Sequence, residues 1–235
     1  MGLGSPGTLV REDNNASTIA FDFGRLYRTG FHRLNFTYSN VDMTMDLQAI
    51  FEEHLEVIRS LKERQAGEIK QLVKKAAEVV RNGGTIFFCG NGGSAADSQH
   101  LAAELVGRYE RERDALPAVA LTVDTSVLTA IGNDYGFEDI FHRQLLGLGK
   151  AGDLLVAIST SGNSPNVLKA VETARQKGMF TAGLTGKGGG KLAGACDLAI
   201  VVPSNRTSRI QEAHIIIGHM MCQFVEAELS DGKVG

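Results

Sequence analysis

Five short apolar runs punctuate the middle of the chain, at residues 85–89, 118–123, 154–159, 180–185 and 198–202. None alternates between apolar and polar positions, which is the pattern of strands buried on both faces of a parallel sheet. Between them, residues 95–109, 137–148 and 165–177 place apolar side chains at helical spacing, and the glycine-rich gap 186–197 leaves room for only a brief helix. Strand–helix alternation of this kind predicts right-handed crossovers and an α/β three-layer, doubly wound sandwich around a five-stranded parallel sheet. Upstream, Leu47, Ile50, Phe51, Leu55, Ile58 and Leu61 recur at helical spacing over 46–66, as do Ile69, Leu72, Val73, Ala76, Ala77 and Val80 over 68–81. These two segments predict a helical hairpin, closed by Asn82-Gly83-Gly84, residues that tolerate positive φ. A long helix over 208–229 is predicted to end the fold.

Residues 1–44 differ from this regular pattern. The first twenty are rich in Gly, Ser, Asn and Thr without a sustained period, and 21–40 mix Phe21, Phe23, Tyr27, Phe31, Phe36 and Tyr38 with Arg25, Arg28, Arg33 and His32. The reading is an extension outside a single domain spanning 45–235. Its basic–aromatic mix is also a type that stacks on single-stranded nucleic acid. A net charge of −3 over 235 residues leaves no electrostatic footprint for nucleic acid, so none is expected as a partner. No apolar run is long enough to cross a membrane, and the N-terminus lacks a basic-then-apolar leader. Cys89, Cys196 and Cys222 are widely spaced, as expected for reduced, mostly buried thiols of a cytoplasmic protein.

Two of the strands run into loops of small, hydroxylated and glycine residues with a helix behind them. The first is Gly90-Asn91-Gly92-Gly93-Ser94; the second is Ser159-Thr160-Ser161-Gly162-Asn163-Ser164. A helix N-terminus offers free backbone N–H groups and a partial positive charge, glycines let the backbone approach an oxyanion, and hydroxyls add donors. Two such loops on one sheet point to a phosphorylated small molecule. Ser164-Pro165 also suits a helix start, so Ser164 is a candidate N-cap as well as a candidate phosphate ligand. The spacing Gly90-x-Gly92-x-x-Ala95 fits the loose dinucleotide fingerprint, but the acidic residue ending the second strand, Asp124, lies too far on.

His100 and Glu104, four apart on the helix leaving the first loop, share a face and form either a metal half-site or an acid–base pair. A surface i,i+4 contact is the simpler alternative. Asp97, one turn earlier, is a candidate orienter, equally explained by the helix dipole. The last helix carries Gln211, Glu212, His214 and His219 on an otherwise apolar background, where polar groups need partners. Gln211 and His219 are eight residues apart, about 12 Å of helix rise, whereas metal–ligand bonds are about 2 Å. A site using both requires a broken helix or two copies of the helix from different subunits.

The ordered set Gly90-Asn91-Gly92-Gly93-Ser94, Asp97, His100, Glu104, Asn133-Asp134, Ser159 through Ser164, Arg209-x-Gln211-Glu212-x-His214 and His219 resembles the phosphoheptose isomerases of the sugar-isomerase (SIS) domain superfamily. The resemblance runs over about 46–229. It implies a flavodoxin-like SIS fold and a homotetramer with active sites at subunit interfaces. The implied reaction converts sedoheptulose 7-phosphate to D-glycero-D-manno-heptose 7-phosphate through an enediol, the first step of heptose biosynthesis towards lipopolysaccharide. It also implies one zinc ion per subunit on His100, Glu104, Gln211 and His219, with Glu104 and His219 as the acid–base pair. The implied substrate-binding positions are Asn91, Gly92, Gly93, Ser94, Glu104, Asn133, Asp134, Ser159, Thr160, Ser161, Ser164 and Gln211. A carboxylate tightly bound to zinc is a poorer base, so either Glu104 is held loosely during turnover or the metal is mainly structural. A related SIS group is non-catalytic and binds a replication initiator, and stands as the alternative: residues 115–121 and 209–212 fit either group, whereas His219 and the complete second loop resemble the isomerases.

Overall fold

The computed structural model describes residues 43–230. The chain divides into two units, residues 1–50 and 51–235, and among the described residues the strands all belong to the second. The expected extension over 1–44 therefore lies outside the described residues apart from its last two positions, as does its whole basic–aromatic segment.

The expected helical hairpin is corrected to one continuous helix, α1 (Met43–Arg81). The anticipated break was Ala66-Gly67. A glycine inside a helix costs only about 1 kcal/mol relative to alanine, and no proline stands beside it to stop propagation. Val57, Leu61, Ile69, Leu72, Val73, Ala76 and Ala77 bury one unbroken stripe across that point.

The remaining order is β1 (Ile86–Gly90), α2 (Gly93–Val106), β2 (Ala118–Ala120), α3 (Thr125–Asp134), a 3-10 turn (Phe137–Asp139), α4 (His142–Leu148), β3 (Leu154–Ser159), α5 (Pro165–Gln176), β4 (Phe180–Thr185), α6 (Gly190–Ala195), β5 (Leu198–Val201) and α7 (Thr207–Ser230). The periodicity did not predict α3. Its ten residues include three threonine or valine positions and Gly132, all weak helix formers. It starts because the Asp124 side chain accepts the Val127 N–H at 2.9 Å, an N-cap that offsets weak propensity. The second strand, expected over 118–123, pairs with β1 only over Ala118–Ala120, and the chain turns at 121–122 before α3. The helix predicted over 137–148 is divided into the 3-10 turn and α4.

The sheet is parallel throughout, in the order β2-β1-β3-β4-β5. Adjacent residues of β1 and β3 face opposite layers. Ile86, Phe88, Leu154 and Val156 pack beneath α1, α2 and α7, whereas Phe87, Cys89, Leu155 and Ala157 pack towards α4, α5 and α6. Winding reverses between β1 and β3, and in open α/β sheets ligands bind at the carboxyl ends of the strands at this switch point. The two glycine and hydroxyl loops are the ones that leave β1 and β3. Among the described residues, no helix is long and apolar enough to cross a membrane. The three cysteines are free; burial pushes the thiols of Cys196, which is partly buried, and Cys222, which is fully buried, up to about 12, so both stay protonated.

Candidate functional site

The first loop is shaped by missing side chains. A Cβ on Gly90 would lie 2.7 Å from that of Ser94, and Gly92 holds φ 57°, a left-handed angle that glycine adopts without penalty. Helix α2 starts at Gly93 with no side-chain cap and no acidic residue in its first turn, so no side chain there offsets the positive dipole end, while the Ser94 and Ala95 N–H groups turn onto the carbonyls of Asn91 and Gly92. A Cβ on Gly93 would collide with the Gln211 amide, so the start of α2 and the first turns of α7 meet here. Ser94 is buried, and its carbonyl accepts the Ser98 hydroxyl.

In the second loop the Ser164 hydroxyl does not cap α5; it lies 2.9 Å from the Ser159 hydroxyl. Pro165 takes the first helical position, and α5 likewise begins without an acidic residue. Thr160 and Ser161 are partly exposed between them. Gly162 (φ 65°) sits against the carbonyl of Gly189, and the Asn163 carboxamide accepts the Lys191 N–H at 3.1 Å. The glycine stretch before α6 thus buttresses this loop from behind.

Beyond the first loop, α2 carries His100 and Glu104 to His219 of α7. His100 Nε2 lies 3.2 Å from Glu104 Oε1 and 3.1 Å from His219 Nε2, and one donor atom from each residue falls within 4.8 Å of the other two. Two donors each about 2 Å from one tetrahedral ion stand about 3.3 Å apart, so two imidazoles and a carboxylate at these separations fit a divalent metal. The Asp97 carboxylate has one buried oxygen without a hydrogen-bond partner among the described residues. Burial raises its pKa above the ordinary carboxylate value, against the pull of His100 and His219. Tyr109 lies over His219 with ring centroids 5.8 Å apart.

Two features of this assembly went unread in the sequence. Gly218, beside His219, has no room for a side chain: a Cβ there would lie 2.5 Å from the Leu101 side chain, so this glycine sets the close approach of α7 to α2. A lone glycine in an apolar helix was the available signal. Behind the cluster, Glu226 is buried and accepts the N–H groups of Tyr109, Glu110 and Arg111 as well as Arg113 Nε at 3.1 Å. Arg113 in turn donates to the carbonyls of Glu104, Leu105 and Gly107 at the end of α2. Burial pushes the Glu226 pKa up, but the three backbone donors and Arg113 outweigh it, and the net shift is downward.

The other expected positions are dispersed. Asn133 and Asp134 stand exposed in the last turn of α3, bonded to each other at 2.8 Å. Gln211 adjoins Gly93, and because α7 is unbroken, about 12 Å of rise separates it from His219. Asn91 is partly exposed and its carboxamide is bonded to Asn166 of α5.

A family model described as SIS domain matches residues 50–186. A phosphoheptose isomerase from Rhodospirillum rubrum is 59% identical over 167 residues, 69% of this chain and 89% of that protein. Another, from Aliarcobacter butzleri, is 54% identical over 180 residues, 77% and 95% of the two chains. The solved structure of phosphoheptose isomerase from Neisseria gonorrhoeae superposes with a TM-score of 0.75 at 45% identity, covering 79% of this chain and 99% of that one. A phosphoheptose isomerase from Francisella tularensis gives 0.77 at 36% identity, covering 80% and 100%. The chain therefore belongs to the SIS domain family, and within it to the phosphoheptose isomerases, which are sugar-phosphate isomerases.

Proposed function

We propose that the chain interconverts sedoheptulose 7-phosphate and D-glycero-D-manno-heptose 7-phosphate through an enediol, opening heptose biosynthesis towards lipopolysaccharide. The observation that carries this reading is the His100–Glu104–His219 cluster, two of whose members stand on α2, the helix that begins at the first glycine loop, with the third on α7. From Gly93 to His100 the helix rises about 10 Å, which suits an extended sugar phosphate better than a triose phosphate. The phosphate binds the α2 and α5 N-termini with Ser94, Ser159, Thr160, Ser161 and Ser164, and Gly92 and Gly93 let it approach the backbone.

Ketose–aldose isomerisation moves a proton between adjacent carbons while a second proton moves between their oxygens. Glu104 takes and returns the carbon proton, and His219 handles the oxygen proton. His100, Glu104 and His219 would hold zinc, with Gln211 supplied by a second copy of α7. Bound there, zinc would polarise the carbonyl and stabilise enediolate charge. Exposed Phe51 and Leu55 on α1 and Phe224 on α7 support assembly of copies into a tetramer. Asn133 and Asp134 then meet the substrate only in that assembly.

Proton NMR of sedoheptulose 7-phosphate with the purified protein and zinc tests the reading: an aldose anomeric signal is expected, lost in His219→Ala. No conversion by the folded wild type would move the chain to the non-catalytic, partner-binding SIS proteins. Zinc at a hundredfold excess over its Kd should also stabilise the fold by about 2.7 kcal/mol. Calorimetric melts with and without zinc check this, and His219→Ala should abolish the increment.

A further inference from the structure

Asn166 is buried beneath the second loop, as the second residue of α5, and is 2% exposed. Its carboxamide pairs with that of Asn91 in the first loop by two reciprocal hydrogen bonds. Asn91 Nδ2 donates to Asn166 Oδ1 and Asn166 Nδ2 donates to Asn91 Oδ1, both at 2.8 Å. Asn166 Oδ1 also accepts the Val167 N–H at 3.0 Å, which fixes the amide against its own helix. The pair spans the gap between the loops that leave β1 and β3, the neighbouring strands where the winding of the sheet reverses. A two-bond amide pair fixes both distance and orientation, whereas a single bond leaves a hinge.

We infer that Asn166 is a positioning residue for substrate phosphate: through its amide pair with Asn91 it holds the two phosphate loops at the separation at which both helix N-termini reach one phosphoryl group. This rests on the phosphate-binding role proposed above for these loops. The Asn91 side chain, on this reading, serves the substrate through Asn166, and the backbone of its loop makes the contact.

Asn166 stands on α5 and bonds to Asn91 and Val167, whereas His100, Glu104 and His219 stand on α2 and α7, so its loss should act on binding more than on proton transfer. The test uses the full-length protein with Asn166→Ala, Asn91→Ala and the double variant. Steady-state isomerisation of sedoheptulose 7-phosphate and calorimetric titration with inorganic phosphate are both measured, alongside thermal melts. Each single variant should raise KM and the phosphate Kd about tenfold, the loss of roughly one hydrogen bond's net worth, with kcat within about twofold. The double variant should match the worse single variant, because both remove the same pair. Asn91→Ala opens the pair from its partly exposed side, so it supplies the result if the buried Asn166→Ala variant does not fold. Additive effects, a fall in kcat with KM unchanged, or phosphate affinity unaltered in folded variants would overturn the proposal. If the wild type binds phosphate but turns over no sugar, the titration still decides the amide pair while the isomerase reading fails. A wild type that binds no phosphate overturns both.

Discussion

The two ends of helix α2 are treated in opposite ways. At its C-terminus, three carbonyl oxygens are taken by one guanidinium, Arg113, and Arg113 is itself held by the buried Glu226 carboxylate of α7. At its N-terminus there is no side-chain cap and no acidic residue, and Gly90 and Gly93 stand where a Cβ would strike Ser94 and the Gln211 amide. The N-terminal turn is held by backbone bonds alone, from Ser94 and Ala95 to the carbonyls of Asn91 and Gly92, with no charged group placed against the dipole. One end is therefore tied down, and the other, on the function proposed above, is left for an anion. The His100–Glu104–His219 cluster lies between them, close enough to the clamped end for its donor atoms to hold their separations without a bound ion.

Breaking the clamped end should have the largest effect. Removing one member of a buried ion pair leaves an uncompensated charge, and Arg113 and Glu226 have side chains only 7% and 2% exposed. Glu226→Ala is expected to cost about 3–5 kcal/mol, read from equilibrium urea unfolding. An unchanged midpoint would mean that the pair does not anchor α2 to α7.

The second effect concerns α7, which carries His214 in its N-terminal half. This imidazole is buried and donates from Nε2 to the Thr185 carbonyl at 3.2 Å. Burial pushes its pKa down to about 4, against the smaller upward pull of that hydrogen bond. With a depressed folded-state pKa, the unfolded chain binds the proton first as pH falls. The contribution is thus full above about pH 6.5 and is lost progressively down to about pH 4, by about 3 kcal/mol in all. Unfolding curves of the wild type and His214→Asn across that window should differ in slope, with the variant less acid-sensitive. Parallel curves would place the acid sensitivity elsewhere.

The smallest effect belongs to the open end. A Cβ on Gly90 would press on Ser94 backbone atoms at 2.8–2.9 Å, so the loop itself must shift. Gly90→Ala should cost about 1–3 kcal/mol by overpacking. It should also weaken competitive inhibition by inorganic phosphate, whereas Glu226→Ala, if still folded, should affect phosphate less than stability. A reversal of that pattern would dissolve the contrast between the two ends.

Much of the fold was legible in the chain because parallel strands are unalternating apolar runs, and the placement of the two glycine and hydroxyl loops after β1 and β3 follows from short-range motifs. The bounds expected for β3 and β4 coincide with those observed. The helical spacing of His100 and Glu104 was equally local. What escaped reading depends on contacts distant in sequence. Asn166 meets Asn91 across 75 residues, Glu226 reaches the Tyr109–Arg113 segment from more than a hundred residues away, and Gly218 matters only because Leu101 lies opposite. The hairpin reading failed for a related reason: Gly67 looks like a break in isolation, but the buried stripe on either side of it continues. Helix α3 was hidden by weak propensities that one cap at Asp124 offsets.

The central claim is that Glu104, held against His100 and His219, moves the carbon proton. It is tested most directly by running the reaction in D2O and following deuterium at the carbons next to the carbonyl by NMR. The wild type should exchange that hydrogen and convert ketose to aldose, and Glu104→Gln, with the fold and phosphate affinity retained, should do neither. Exchange and conversion at undiminished rate in Glu104→Gln would contradict the account.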